Sequence, residues 1–143
     1  MFRYATSKGV GFYDTAELYG IGRSEKLIKD FTSRLPPEEA AATSVATKFA
    51  ALPWRTKRED VVRAARASVE RLGRPIDLYQ IHFPNAYANE AYWDGLADAY
   101  DQGLVKSVGV SNYGSEAVRA CHATLAKVSR GTHELALYGA ISQ

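Results

Sequence analysis

Asp14, Tyr19, Lys48 and His82 are the residues of this sequence whose types could act together on a reacting group. A tyrosine hydroxyl has a pKa of about 10 and donates a proton poorly at neutral pH. An ammonium beside it stabilises the phenolate and lowers that pKa, so Lys48 would turn Tyr19 into a usable general acid. Asp14 would keep Lys48 charged and placed, while the His82 imidazole would orient a carbonyl by hydrogen bonding. Such a set suits protonation of a carbonyl oxygen as hydride arrives at its carbon from a reduced cofactor. Taken singly, each residue has a plainer role: a loop cap for Asp14, a surface snorkel for Lys48, packing for Tyr19 and His82. A shared location is what would make them a site.

The elements around them supply that location. Short strands with buried character alternate with segments of helical period, the pattern of parallel strands joined by crossover helices. The strands expected are Val10 to Asp14, Ser44 to Phe49, Ile76 to His82 and Leu104 to Val110, with a fifth through Glu134 to Tyr138. In a parallel α/β fold the loops at the C-terminal strand ends form one rim, where catalytic groups converge. Asp14 ends the first strand, Lys48 lies near the end of the second, His82 ends the third, and the fourth runs into Ser111 and Asn112. Tyr19 follows in the loop after Asp14, where Gly20 and Gly22 let the chain turn back over the rim.

Helices are expected over Phe2 to Ser7, around Val61 to Leu72, over Glu90 to Gln102 and over Ser115 to Lys127. Val61, Val62, Ala65, Val69 and Leu72 share one face at helical spacing, with Thr56 as N-cap, Glu59 completing a capping box and Gly73 as terminator. Trp93, Leu96, Ala97 and Tyr100 should face inward from the next helix, and Val118, Cys121 and Leu125 from the last. Pro36 and Pro37 read as a loop. No linker divides residues 1–143, which read as a single domain.

The composition suits a globular chain: 46% of residues are hydrophobic and 24% charged. Lys and Arg number 18 against 16 acidic residues, and their scatter argues against nucleic acid as a partner. One cysteine excludes an intrachain disulfide, and no His/Cys cluster has zinc spacing, so no metal is expected. No stretch reaches the roughly 20 apolar residues of a membrane span, and Met1 to Thr6 lacks a signal-peptide core, which reads as an intracellular, soluble chain.

The segment Gly11 to Gly20, reading GFYDTAELYG, closely resembles the aldo-keto reductase signature that holds a catalytic aspartate and tyrosine. Ala46-Thr47-Lys48-Phe49 is similar to that family's lysine strand, Ile76 to His82 to its histidine strand, and Gly103 to Asn112 to the strand whose Ser-Asn pair binds the nicotinamide carboxamide. All four occur in the family's order, and the resemblance covers about residues 1 to 127. It implies an α/β fold of parallel (β/α) barrel, or TIM, type and reversible reduction of aldehydes or ketones with NADP(H) held without a Gly-rich Rossmann loop. It also implies catalytic roles for Asp14, Tyr19, Lys48 and His82, and cofactor contacts from Asp14, Ser111 and Asn112. The carbonyl substrate would meet Tyr19 and His82, with Trp54 as a candidate apolar wall. Phe49 to Arg55 further resembles plant and algal plastid-type members, which points to a chloroplast.

A (β/α)8 barrel takes about 250 residues, whereas these 143 hold four to five of eight strand-helix units. The resemblance therefore places an earlier strand before Met1 and the later strands, with the segment that grips the adenosine 2'-phosphate, after Gln143. From Val128 onward the sequence leaves the family pattern, and Tyr138 lacks the context of the tyrosine that stacks on nicotinamide. Open sheet edges would permit self-association. The alternative function is a truncated, inactive barrel fragment or regulatory binding protein lacking half of the cofactor site. A third reading is a metal-assisted hydrolase or isomerase built on Asp14, Glu17 and His82.

Overall fold

The computed structural model describes residues 2–128 and 137–140. In chain order the elements are α1 (Phe2–Ser7), β1 (Phe12–Asp14), α2 (Arg23–Thr32), α3 (Pro37–Ala41), β2 (Ser44–Phe49), α4 (Arg58–Leu72), β3 (Leu78–Ile81), α5 (Asn89–Asp101), β4 (Val108–Ser111), α6 (Ser115–Val128) and β5 (Leu137–Ala140). The five strands form one parallel sheet in the order β1-β2-β3-β4-β5. Each strand pairs with its successor in sequence, without the order reversal that marks a doubly wound sheet. The chain thus has the sequential β/α architecture of a TIM-type barrel over five of its strands.

Alternation along the strands separates two chemistries. Val45 and Phe49 of β2, Tyr79 and Ile81 of β3, and Val108 and Val110 of β4 join the apolar cluster with Val61, Ala65 and Leu72 of α4 and Trp93 and Leu96 of α5. That face is closed by the helices, and burying it is the main driving force for the fold. The intervening positions carry Asp14, Lys48, Gln80 and Ser111, in a register that sets Lys48 beside Gln80 and Gln80 beside Gly109. The ionisable strand residues Asp14 and Lys48 therefore lie on the face turned away from the helices, whereas Thr47, on the helix-facing side of β2, is satisfied by buried Glu25 of α2.

Several boundaries differ from the sequence expectation for local reasons. Val10 and Gly11 lie outside β1, although Ser44 still donates its N–H to the Gly11 carbonyl at 2.7 Å. β3 loses Ile76 and Asp77 because the Asp77 carboxylate accepts the Val45 N–H at 2.9 Å, substituting a side chain for a strand carbonyl. Ile76 survives as an isolated bridge to Val105, and β4 begins only at Val108. α4 is capped one residue later than expected: Asp60, not Glu59, reaches back to the Lys57 N–H at 3.0 Å, so Thr56 is not the N-cap. Gly73 does close the helix, at φ 71°. Pro37 opens the short α3 rather than sitting in a loop, as proline at a first helical position can. The expected strand over Glu134 to Tyr138 falls partly outside the described residues; β5 occupies Leu137–Ala140.

Gly95 lets α5 approach α4. A Cβ placed there would stand 2.6 Å from the Arg58 carbonyl oxygen and 2.7 Å from Val61 Cβ. Gly95→Ala should therefore force the helices apart and cost about 1–3 kcal/mol in urea unfolding. Gly114→Ala, with nothing within 4 Å of the added carbon, should change stability by no more than about 0.5 kcal/mol.

Candidate active site

Lys48 lies on the polar face of β2 and is only 6% exposed. Its Nζ donates to Asp14 Oδ2 at 2.5 Å and to the Thr15 carbonyl at 2.9 Å. An ammonium buried this far costs several kcal/mol unless paired and hydrogen-bonded, and here a carboxylate and a carbonyl meet it. The register explains the meeting: Asp14 pairs with Ala46, so the end of β1 lies within a lysine's reach of β2 position 48.

The loop after Asp14 follows β2 before turning away. Thr15 donates its N–H to the Ala46 carbonyl at 2.8 Å, and Glu17 to the Lys48 carbonyl at 3.3 Å. It then reverses through Gly20, Ile21 and Gly22, all left-handed, at φ 61°, 55° and 80°. For a β-branched residue such as Ile21 that conformation is strained, at a cost on the order of 1–3 kcal/mol. Tyr19 is held at the start of this reversal by its N–H to the Ala16 carbonyl at 3.0 Å. Its ring centroid is 5.5 Å from Lys48 Nζ and 5.8 Å from the His82 ring, which it meets at 78°. Lys48 thus faces the Tyr19 ring while its own hydrogen bonds go to Asp14 and Thr15.

His82 follows β3 directly, and its N–H to the Phe49 carbonyl at 3.0 Å continues the ladder. The ring stacks on Phe83 at 4.2 Å and 10°, and Nδ1 is buried with no hydrogen-bond partner among the described residues. Burial, and secondarily the Lys48 ammonium, push its pKa below the usual 6.5, against a smaller opposing pull from Asp14 and Glu17. The imidazole is therefore neutral at pH 7.

Ser111 and Asn112 sit at the end of β4, with Asn112 at φ 61°. Asn112 Nδ2 donates to the His82 carbonyl at 2.9 Å and to Ser111 Oγ at 3.2 Å. This leaves the Asn112 amide oxygen as an acceptor and the Ser111 hydroxyl as a donor, the complement of a carboxamide. Trp54 is 76% exposed in the turn beyond β2 and makes no aromatic pair with Tyr19 or His82. Glu17, a ligand in the metal-dependent reading, is instead committed elsewhere: its Oε1 accepts from Arg55 Nη1 at 2.8 Å and from the Ala50 N–H at 2.5 Å. No cluster of three His, Cys, Asp or Glu able to hold a metal occurs among the described residues. Arg55 lies within the plastid-type segment, but its pairing with Glu17 has no signal in the sequence, since the two are 38 positions apart.

Sequential parallel strands thus bring a buried lysine paired with Asp14, a tyrosine and a neutral histidine to one C-terminal rim. Residues 1–131 match the Aldo/keto reductase family, and the chain belongs to that family. It is similar to the chloroplastic pyridoxal reductase of Arabidopsis thaliana, with 39% identity over 132 residues that cover 85% of this chain and 36% of that protein. Among solved structures it resembles the thermostable aldo-keto reductase Tm1743 in complex with the inhibitor epalrestat, at 29% identity and a TM-score of 0.75, covering 85% of this chain and 43% of that one. A Bombyx mori aldo-keto reductase in complex with NADP aligns at 27% identity and a TM-score of 0.66, covering 92% of this chain and 44% of that one. The chain thus spans less than half the length of these relatives. No helix among the described residues is long and apolar enough to cross a membrane.

Since the folded state lowers the pKa of His82, the unfolded chain binds a proton more readily. The stability this contributes is present above pH 6.5 and is lost as the pH falls through the folded value. Titration of the His82 ring by NMR should give a midpoint below 6.5. Lys48→Met should raise that midpoint only part of the way, because burial is the larger cause.

Proposed function

We propose that this chain carries the reaction site of an NADP(H)-dependent carbonyl reductase, which converts an aldehyde or ketone to an alcohol with Tyr19 as general acid. The observation behind this reading is the convergence of the Lys48–Asp14 pair with the Tyr19 and His82 rings on one rim. His82 Nε2–H donates a hydrogen bond to the substrate carbonyl oxygen and fixes its direction. Tyr19 transfers its hydroxyl proton to that oxygen, and the Lys48 ammonium stabilises the phenolate left behind. Asp14 holds Lys48 in place and balances its charge at the open rim.

The residues present fit the nicotinamide end of the cofactor. The free acceptor of Asn112 and free donor of Ser111 match a carboxamide, and Asp14 borders the same rim. When bound, the cofactor supplies the hydride that reaches the carbonyl carbon. The NADP complex of the Bombyx mori relative supports the choice of dinucleotide. The name of the 39% identical relative suggests an aromatic aldehyde such as pyridoxal as substrate, and a chloroplast as location. Tyr19 and His82 would contact the reacting carbonyl, with Trp54 as the candidate apolar wall.

NADPH fluorescence titration and NADPH oxidation with pyridoxal or nitrobenzaldehyde test this reading on the purified chain. Saturable binding is expected, and Tyr19→Phe should lower turnover by about a hundredfold to ten-thousandfold while leaving binding intact. Absence of binding at high micromolar NADPH, or turnover that survives Tyr19→Phe, would contradict it.

A further inference from the structure

We infer that Glu17 and Arg55 are a positioning pair that holds the Tyr19 loop against the lysine strand, an inference that rests on the reductase reading for its kinetic consequence but not for its geometry. Glu17 stands two residues before Tyr19, and Ala50 two residues after Lys48. The β1–β2 ladder continues past the end of β1, through Thr15 N–H to the Ala46 carbonyl and Glu17 N–H to the Lys48 carbonyl. There the backbone of the loop turns away, and the next donor on β2, the Ala50 N–H, would have no strand carbonyl to meet. The Glu17 carboxylate takes that place at 2.5 Å.

Arg55 completes the clamp from the other side. Its Nη1 donates to Glu17 Oε1 at 2.8 Å and to the Ala50 carbonyl at 3.2 Å, so both polar groups of residue 50 are held by the one ion pair. The guanidinium lies 4.3 Å from the centre of the Phe49 ring, and the Arg55 carbonyl accepts the hydroxyl of buried Tyr92 at 2.5 Å. Tyr92 in turn meets Phe49 edge-on at 5.1 Å. Both charged side chains are mostly shielded from water, at 17% and 15% exposure, so this pair is held more firmly than one at the surface.

The Tyr19 ring touches the site only by facing Lys48 and His82. Its backbone is bonded to Ala16 within the loop and, through its carbonyl, to the Ser24 N–H of α2 at 3.2 Å, so the anchorage of the loop to β2 at Glu17 acts with that of α2 to set the ring's distance from the lysine. Loss of the clamp should therefore displace the phenol without removing a group that touches substrate. A misplacement of about 1 Å is enough to cost up to about a hundredfold in rate.

The test uses Glu17→Gln, Arg55→Met and Arg55→Lys with the Tyr19 ring resonances, assigned by their loss in Tyr19→Phe, as the direct readout. In Glu17→Gln and Arg55→Met these resonances should move toward those of an exposed tyrosine, and kcat for pyridoxal reduction should fall about ten- to a hundredfold with KM changed less than about threefold. Arg55→Lys, which keeps the charge, should recover part of both. Unmoved resonances, or a rise in KM with kcat intact, would overturn the inference. Resonances that move in a chain whose unmodified form never oxidises NADPH would sustain the positioning role and refute the reductase reading. If the variants do not fold, hydrogen exchange in the unmodified chain decides: slow exchange at the Ala50 amide supports the clamp, and exchange as fast as in the neighbouring loop overturns it.

Discussion

A single buried ammonium organises this molecule. Lys48 cannot be taken out of water without partners, and the two it has, Asp14 Oδ2 and the Thr15 carbonyl, both belong to the end of β1. Because the pair is formed across neighbouring strands, it fixes where β1 stops and where the loop carrying Tyr19 begins. The same positive charge helps keep His82 neutral and faces the Tyr19 ring. Charge, burial and strand register thus converge on one side chain.

β2 bears this demand because it is tied on both of its faces. Opposite Lys48, the Thr47 hydroxyl donates to Glu25 Oε1 at 2.7 Å, and Arg71 of α4 donates through Nε to Glu25 Oε2 at 2.5 Å. Glu25 lies in the first turn of α2 and is fully buried, so this network pins the helix that follows the Tyr19 loop. Gly22 is required at the junction: its φ is 80°, and a Cβ there would stand 2.6 Å from Arg71 Cδ. The loop that presents Tyr19 is consequently held at Asp14, at Glu17 and at Glu25. Its strained Ile21 is sustained by these anchors rather than by its own preference.

Much of this was readable wherever a local signal coincided with the tertiary demand. β2 has the bounds Ser44 to Phe49 that its residues imply, α4 follows its apolar face, and Gly73 ends it in the left-handed conformation that favours glycine. α2 is hidden in the sequence because its one fully buried position is Glu25, a charged residue that looks solvent-exposed until Arg71 and Thr47 are brought to it. The capping of α4 by Asp60 rather than Glu59, and the shortening of β3 by Asp77, both depend on side chains replacing backbone partners, which no periodicity reports. The candidate residues could be placed on one rim from strand ends alone. Their contacts could not: that Lys48 faces the Tyr19 ring, and that Glu17 belongs to Arg55, follow from loop geometry across tens of residues.

A double-mutant cycle on Asp14→Asn and Lys48→Met, read as kcat/KM for NADPH-dependent aldehyde reduction, tests most directly whether the buried ammonium and its carboxylate act as one unit. The account predicts strong non-additivity, with the double variant no slower than Lys48→Met alone by more than about threefold. Losses that multiply independently would contradict it, because they would mean that Asp14 contributes by a route that does not pass through Lys48.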